Sequence, residues 1–317
     1  MKTKAILYPL IALILGAVGA VLHRIQLSTI IDESTGLALR WAPITIALAA
    51  VCVLAAVLAF LFSLSFSRRS AAPDWHKSLA SRTPLPMILA VLSFAGMLYG
   101  AWQCWRWGLD YGGTSLLDRI LAVFAALAGL GGVILAITSF RKRHNGLEAI
   151  SSLVVVLFLC LWLVLVYKAN SSDPTKIKYI YDLLGLCAAA VGCYYLAGYA
   201  FGRSRPRSTI FFCLTAIALS AVAFPVSGEL SGQLFSAFTI LFLLVNVMLL
   251  MLNLAAPRSE EEPAEEAHEA EEDELPGIAL PGEEDLTDGL LKDMPEEPEG
   301  DAPVLDDILR EYREKDE

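Results

Sequence analysis

Eight apolar runs, each long enough to cross a bilayer, leave this chain few ways to fold. They cover residues 5–22, 41–66, 85–103, 120–140, 150–167, 183–201, 210–226 and 234–254, and none carries a charged residue at its centre. Backbone N–H and C=O groups surrounded by hydrocarbon must be satisfied inside their own segment, so each run reads as an α-helix. At ~1.5 Å of rise per residue, about 20 residues cross a ~30 Å core; the second run needs tilt or overhang. The expected fold class is therefore all-α, a polytopic membrane bundle of eight transmembrane helices over residues 1–256. A composition of 56% hydrophobic residues excludes an ordinary soluble domain.

The chain changes character at Pro257. Residues 257–317 hold 25 Asp and Glu against 5 Lys and Arg, whereas the part before them holds 9 acids and 19 bases. The formal net charge of −10 averages a basic membrane body and a strongly acidic tail. Rich in Glu, Asp and Pro, the tail cannot bury a core and is expected to be disordered.

Lys and Arg concentrate in alternate connections. One side carries Lys2, Lys4, Arg68, Arg69, Lys77, Arg82, Arg141, Lys142, Arg143, Arg203, Arg205, Arg207 and Arg258, and the other carries Arg24, Arg40, Arg106, Arg119, Lys168, Lys176 and Lys178. Thirteen against seven places the first set in the cytoplasm, and with it both termini. The compact loops and inside basicity fit a bacterial-type plasma membrane. A second reading of the start stays open. Met-Lys-Thr-Lys, an apolar run and Gly-Ala-Val-Gly-Ala also resemble a signal peptide, whose cleavage after Ala20 leaves seven spans with the N-terminus outside.

Pairs of small residues four apart let helix backbones approach: Gly96 and Gly100, Ala125 and Gly129, Ala128 and Gly132, Gly198 and Gly202. Leu117-Asp118-Arg119 and Tyr181-Asp182-Leu183 open the fourth and sixth spans alike, a possible hairpin repeat. The longest outer connection runs from His23 to Arg40.

Motifs for catalysis and cofactors are sparse. Cys52, Cys104, Cys160, Cys187, Cys193 and Cys213 show no CxxC or metal spacing, and His23, His76, His144 and His268 all fall outside the apolar runs. No GxSxG, HExxH or phosphate-binding glycine loop occurs. No catalytic residue, metal site, cofactor or nucleic-acid partner is expected. Tyr181-Asp182 resembles the Tyr-Asp half of presenilin-like intramembrane aspartyl proteases, which implies an aspartate pair with Asp118. The Gly-x-Gly-Asp half is missing, and Asp118 precedes Asp182 in the chain. Asn246, near the centre of the last span, is the best intramembrane polar contact, expected to bond to another helix.

Two groups of residues are candidates for binding. Trp102, Trp105, Arg106, Trp107 and Asp110 at the outer end of the third span suit a cationic or sugar-bearing ligand, or equally an interfacial aromatic belt. In the tail, residues 286–294 align with 304–312: both read apolar, x, Asp, x, apolar, apolar, basic, acidic, apolar. Leu286, Leu290, Leu291 and Met294, like Val304, Ile308, Leu309 and Tyr312, share one helical face. The string Asp-Asp-Ile-Leu-x-Glu-Tyr resembles the endings of some bacterial membrane-associated proteins. Such islands suit docking into a partner's groove. The leading expectation is a non-enzymatic membrane anchor or accessory subunit that recruits a cytosolic protein through its tail. A permease or channel component gated by the tail is the alternative, and an intramembrane hydrolase ranks third. Beyond the lipid bilayer and a cytosolic protein, neither partner identity nor oligomeric state follows from the residues.

Overall fold

A computed structural model describes residues 2–29, 42–66, 75–81, 83–108, 115–141, 146–170, 179–226 and 230–255. Nine α-helices occur among them: α1 (Lys2–Thr29), α2 (Pro43–Ser65), α3 (Trp75–Ser78), α4 (Leu85–Trp107), α5 (Leu116–Arg141), α6 (Leu147–Asn170), α7 (Ile180–Ala200), α8 (Pro206–Ala223) and α9 (Leu230–Ala255). All except α3 are long and apolar enough to cross a membrane, so the all-helical, eight-span architecture is that read from the apolar runs. The tail, with both of its motifs, lies outside the described residues.

Element ends follow local chemistry. Proline stands in the first turn of α2, α4 and α8, where its missing N–H costs nothing. At α5, Ser115 and Asp118 form a reciprocal cap. The Asp118 Oδ2 accepts from the Ser115 N–H and hydroxyl, each at 2.8 Å, while the Asp118 N–H donates to Ser115 Oγ at 3.2 Å. Helix α7 opens on Tyr179 with no side-chain cap, so the resemblance between the openings of the fourth and sixth spans does not extend to their caps. Gly108 (φ 78°) closes α4, and Gly202 (φ 69°) turns the chain after α7, both in the left-handed region that favours glycine.

Helices α4, α5, α6, α7, α8 and α9 pack in succession, and α9 returns to α4 to close a ring. The ring is flattened, since α9 also reaches α5 and α7. Its middle is filled by rings from opposite walls: Phe235 lies edge-on to Phe158 and Trp162 at centroid distances of 5.4 and 5.6 Å. Helices α1 and α2 pack on each other and on the α8 side of the ring. In a membrane this packing is driven by dispersion contacts and polar bonds, because lipid tails are as apolar as the side chains they would replace.

Glycine decides where backbones touch. A methyl at Gly16 would stand 2.6 Å from Ala221 Cβ and 2.8 Å from the Ala218 carbonyl, so α1 lies directly on α8. The small residues that resemble a cleavage site are this contact surface. On α5, Gly129 faces Met97 and Phe94 of α4, Gly131 faces Ser151 of α6, and Gly132 faces Phe238 of α9. One helix meets three neighbours through adjacent small positions. Gly198 and Gly202 do not follow the expectation of a helix-packing pair. Gly198 abuts the Arg203 carbonyl in the turn after α7, and the close contacts with α8 come from Gly185 and Gly192 instead.

Two connections differ from the sequence reading. Helix α1 continues to Thr29, so His23 and Arg24 belong to the helix and not to the outer connection. The basic connection before α4 contains α3, whose Trp75 and the adjoining Leu79 are buried.

Candidate functional site

At the end of the bundle where α1 begins and α9 finishes, α3 is drawn into the helix ends and packs against α5, α7 and α9. The Trp75 indole Nε1 donates to Ser139 Oγ at 3.1 Å, and the Ser81 N–H donates to the Ser139 carbonyl at 2.9 Å. The Asn253 amide donates to the Ser78 and Ala80 carbonyls at 2.9 and 3.0 Å. Four bonds thus pin a seven-residue stretch to the last turns of α5 and α9. Sequence reasoning missed this anchor. Its available signal was a lone Trp within a basic connection.

Above this floor, α4, α5 and α9 line a small open crevice. Near the far end of α4 its glycines allow close contact: a methyl at Gly100 would meet Leu234 and Phe235 at 3.1–3.4 Å. Towards α3 the crevice is lined by Pro86, Leu89, Ala90 and Ser93 of α4 and by Leu241, Val245 and Leu249 of α9. Gly132, Leu135, Ala136 and Ser139 of α5 also line it. The crevice's polar groups are largely spent on backbone. Ser93 Oγ donates to the Leu89 carbonyl at 2.7 Å, and Asn246 Nδ2 donates to the Phe242 carbonyl at 2.8 Å. Asn246 therefore bonds within its own helix and not, as expected, to another. Asn253 makes the connection between elements.

The opposite end holds a second polar group. His23 is fully buried, its Nδ1 lies 3.1 Å from the Val222 carbonyl, and its ring stands edge-on to Tyr181 at 5.0 Å. Nε2 has no hydrogen-bond partner among the described residues. One turn on, Gln26 donates to Thr45 Oγ1 at 3.0 Å. These contacts tie α1 to α2, α7 and α8. His23 went unread because it stands one residue beyond an apolar run.

Asp118 and Asp182 each stand in the first turn of a helix. Both are buried in the first turns of α5 and α7, and α6 packs against both of those helices. Asp118 is committed to capping its helix. Among the described residues no cluster of three or more His, Cys, Asp or Glu side chains has metal-binding proximity.

The outer aromatic candidates point away from the bundle: Trp102, Trp105 and Trp107 are all exposed. Arg106 lies 5.4 Å over the Trp102 ring of its own helix, and Arg119 of α5 lies 5.8 Å over Trp105. Each pair places an indole beside a cation at a helix end. Asp110 lies outside the described residues, as do Leu286, Leu290, Leu291, Met294, Val304, Ile308, Leu309 and Tyr312.

No protein-family model, curated protein or solved structure matches the chain.

Proposed function

We propose that the protein is a non-enzymatic membrane anchor or accessory subunit, which recruits a cytosolic protein through the two related motifs after Pro257. The observation that carries this reading is the match in residue class at seven of nine positions between residues 286–294 and 304–312, set in a stretch otherwise dominated by acids and proline. Repetition of one apolar face gives a partner two equivalent holds, which raises avidity without a larger interface. The bundle supports the reading by its construction. Its middle is filled by Phe158, Trp162 and Phe235, and Ser93, Thr239 and Asn246 spend their polar groups on carbonyls of their own helices. The excess of Lys and Arg at the α1-start end supports a cytoplasmic position for that end and both termini, in a bacterial-type plasma membrane.

The test is localisation of the partner in cells. Ile308→Ala with Leu309→Ala, combined with Leu290→Ala and Leu291→Ala, abolishes membrane recruitment while the protein inserts normally. Recruitment that persists in the fourfold variant removes the proposal.

A permease or channel component is the second reading, and the buried α3 favours it. An element fastened across helix ends by Trp75 and Asn253 is placed where a plug would be. On this reading, loosening α3 or deleting residues 258–317 raises solute flux into vesicles.

A further inference from the structure

We infer that His23 is an acid-sensitive latch, which in its neutral form fastens the second half of α1 to α8 and releases it on taking up a proton. The latch is built from contacts within the bundle and works whatever the tail motifs bind.

Val222 of α8 is where the fastening is made. A methyl at Gly19 would stand 2.5 Å from Val222 Cγ2, and one turn further along α1 the His23 Nδ1 lies 3.1 Å from the Val222 carbonyl. Residues four apart share one face of a helix, so both contacts seat the same side of α1. A carbonyl oxygen can only accept; Nδ1 therefore carries the ring proton, and Nε2 keeps a lone pair. His23 is fully buried, and its Nε2 has no hydrogen-bond partner among the described residues.

The surroundings have no place for a second ring proton. Leu48 of α2, Tyr181 of α7, and Val222 and Ala223 of α8 form a small buried cluster, against which Leu22 and Cys52 pack. Tyr181 meets the imidazole edge-on at 5.0 Å. Titratable groups are few among the described residues at this end. Helix α2 contributes Cys52 and α7 contributes Tyr181 and Asp182, whereas residues 217–226 and the first turns of α9 contribute none. Asp182 stands about 100° further round α7 than Tyr181, and it makes no ion pair with His23. Arg24, the next residue of α1, adds a cation and no acceptor. The charged residues of the adjoining connections lie outside the described residues.

Proton uptake would put an N–H on Nε2 with no acceptor and a positive charge with no carboxylate beside it. Both are costly in an apolar site. A freely solvated imidazole takes its proton near pH ~6.5. Below that pH the opened junction binds a proton that the closed one cannot place, and the balance moves toward opening. His23 stands just beyond the apolar run 5–22, so release exposes the ring without drawing a charge through hydrocarbon. The first half of α1 does not share in this. Tyr8 stacks on Phe62 of α2 at 3.9 Å and meets Phe66 edge-on at 6.4 Å, contacts with no group that titrates near neutrality. Opening is confined to residues 19–29.

The test is hydrogen exchange by mass spectrometry on the full chain in lipid nanodiscs, at about pH 7.5 and about pH 5, on either side of the imidazole range. Rates are corrected for the intrinsic effect of pH. Protection of residues 19–29 is expected to fall about tenfold at the lower pH, within the limit of roughly tenfold per pH unit that one proton supplies. Residues 5–12 keep their protection. His23→Asn retains an N–H donor for the Val222 carbonyl and does not titrate in this range, so the response disappears. His23→Gln serves if that variant fails to fold. Asp182→Asn, by contrast, leaves the response in place. Equal protection at the two pH values in the unaltered protein overturns the inference. So does a response that persists in the His23 variant or vanishes with Asp182→Asn.

Discussion

The two ends of the bundle are closed by different means. At the end shared by the start of α1 and the finish of α9, a seven-residue stretch is tied to the distant helices α5 and α9, by bonds that include one between residues 175 positions apart. At the other end, closure combines a local cap, Ser115 with Asp118, and the approach of α1 to α8 that brings His23 to Val222. At the first end the bonds run from one short helix to α5 and α9, whereas at the other the cap is local to α5 and the long-range contact, His23 to Val222, joins α1 directly to α8. The crevice opens beside the first of these ends.

This contrast can be broken at several places. Trp75→Ala should have the largest effect, about 3–5 kcal/mol as for other buried Trp truncations, with hydrogen exchange rising in 75–81 well before the helices unfold. Uniform loosening of all helices would mean that α3 is not a separate fastening. Gly16→Leu comes next, at ~1–3 kcal/mol from overpacking against the Ala218 carbonyl, measured by thermal unfolding in detergent. Gly96→Ala sharpens the point: its nearest neighbour, Leu234, is 3.8 Å from the added methyl, and stability should hold within ~0.5 kcal/mol. Asn253→Leu leaves the Ser78 and Ala80 carbonyls without their shared donor and should cost ~1–2 kcal/mol, again with local exchange in 75–81. Ser115→Ala should cost about 1 kcal/mol and fray only the first turn of α5; an effect as large as that of Trp75→Ala would erase the distinction between the ends.

Much of the architecture was legible because membrane insertion converts composition into structure directly. Eight apolar runs became eight long helices, with boundaries displaced where polar residues continue a helix past its apolar part, as His23 and Gln26 do in α1. The small-residue rule identified Gly100, Gly129 and Gly132 correctly as close-packing positions, but not Gly96, which has room for a methyl. It misassigned Gly198 and Gly202, because spacing alone does not separate a helix contact from a turn. Asn246 and Asn253 show a further limit. Both are amides on α9, and only the placement of α3 decides that Asn253 reaches another element while Asn246 serves its own. The crevice was invisible, since it arises from how α4, α5 and α9 come together and not from a residue pattern. The tail motifs remain a reading of sequence alone.

The most direct test of the central claim uses vesicles reconstituted with the full chain, with a chain ending at residue 257, and with a full chain carrying Ala at Leu290, Leu291, Ile308, Leu309 and Tyr312. Capture of cytosolic protein and solute flux are measured on the same preparations. The account predicts a protein bound by the unaltered chain and lost from both others, with equal flux in all three. Equal capture by all three preparations, together with flux that rises on truncation, would contradict it and establish the tail as a gate.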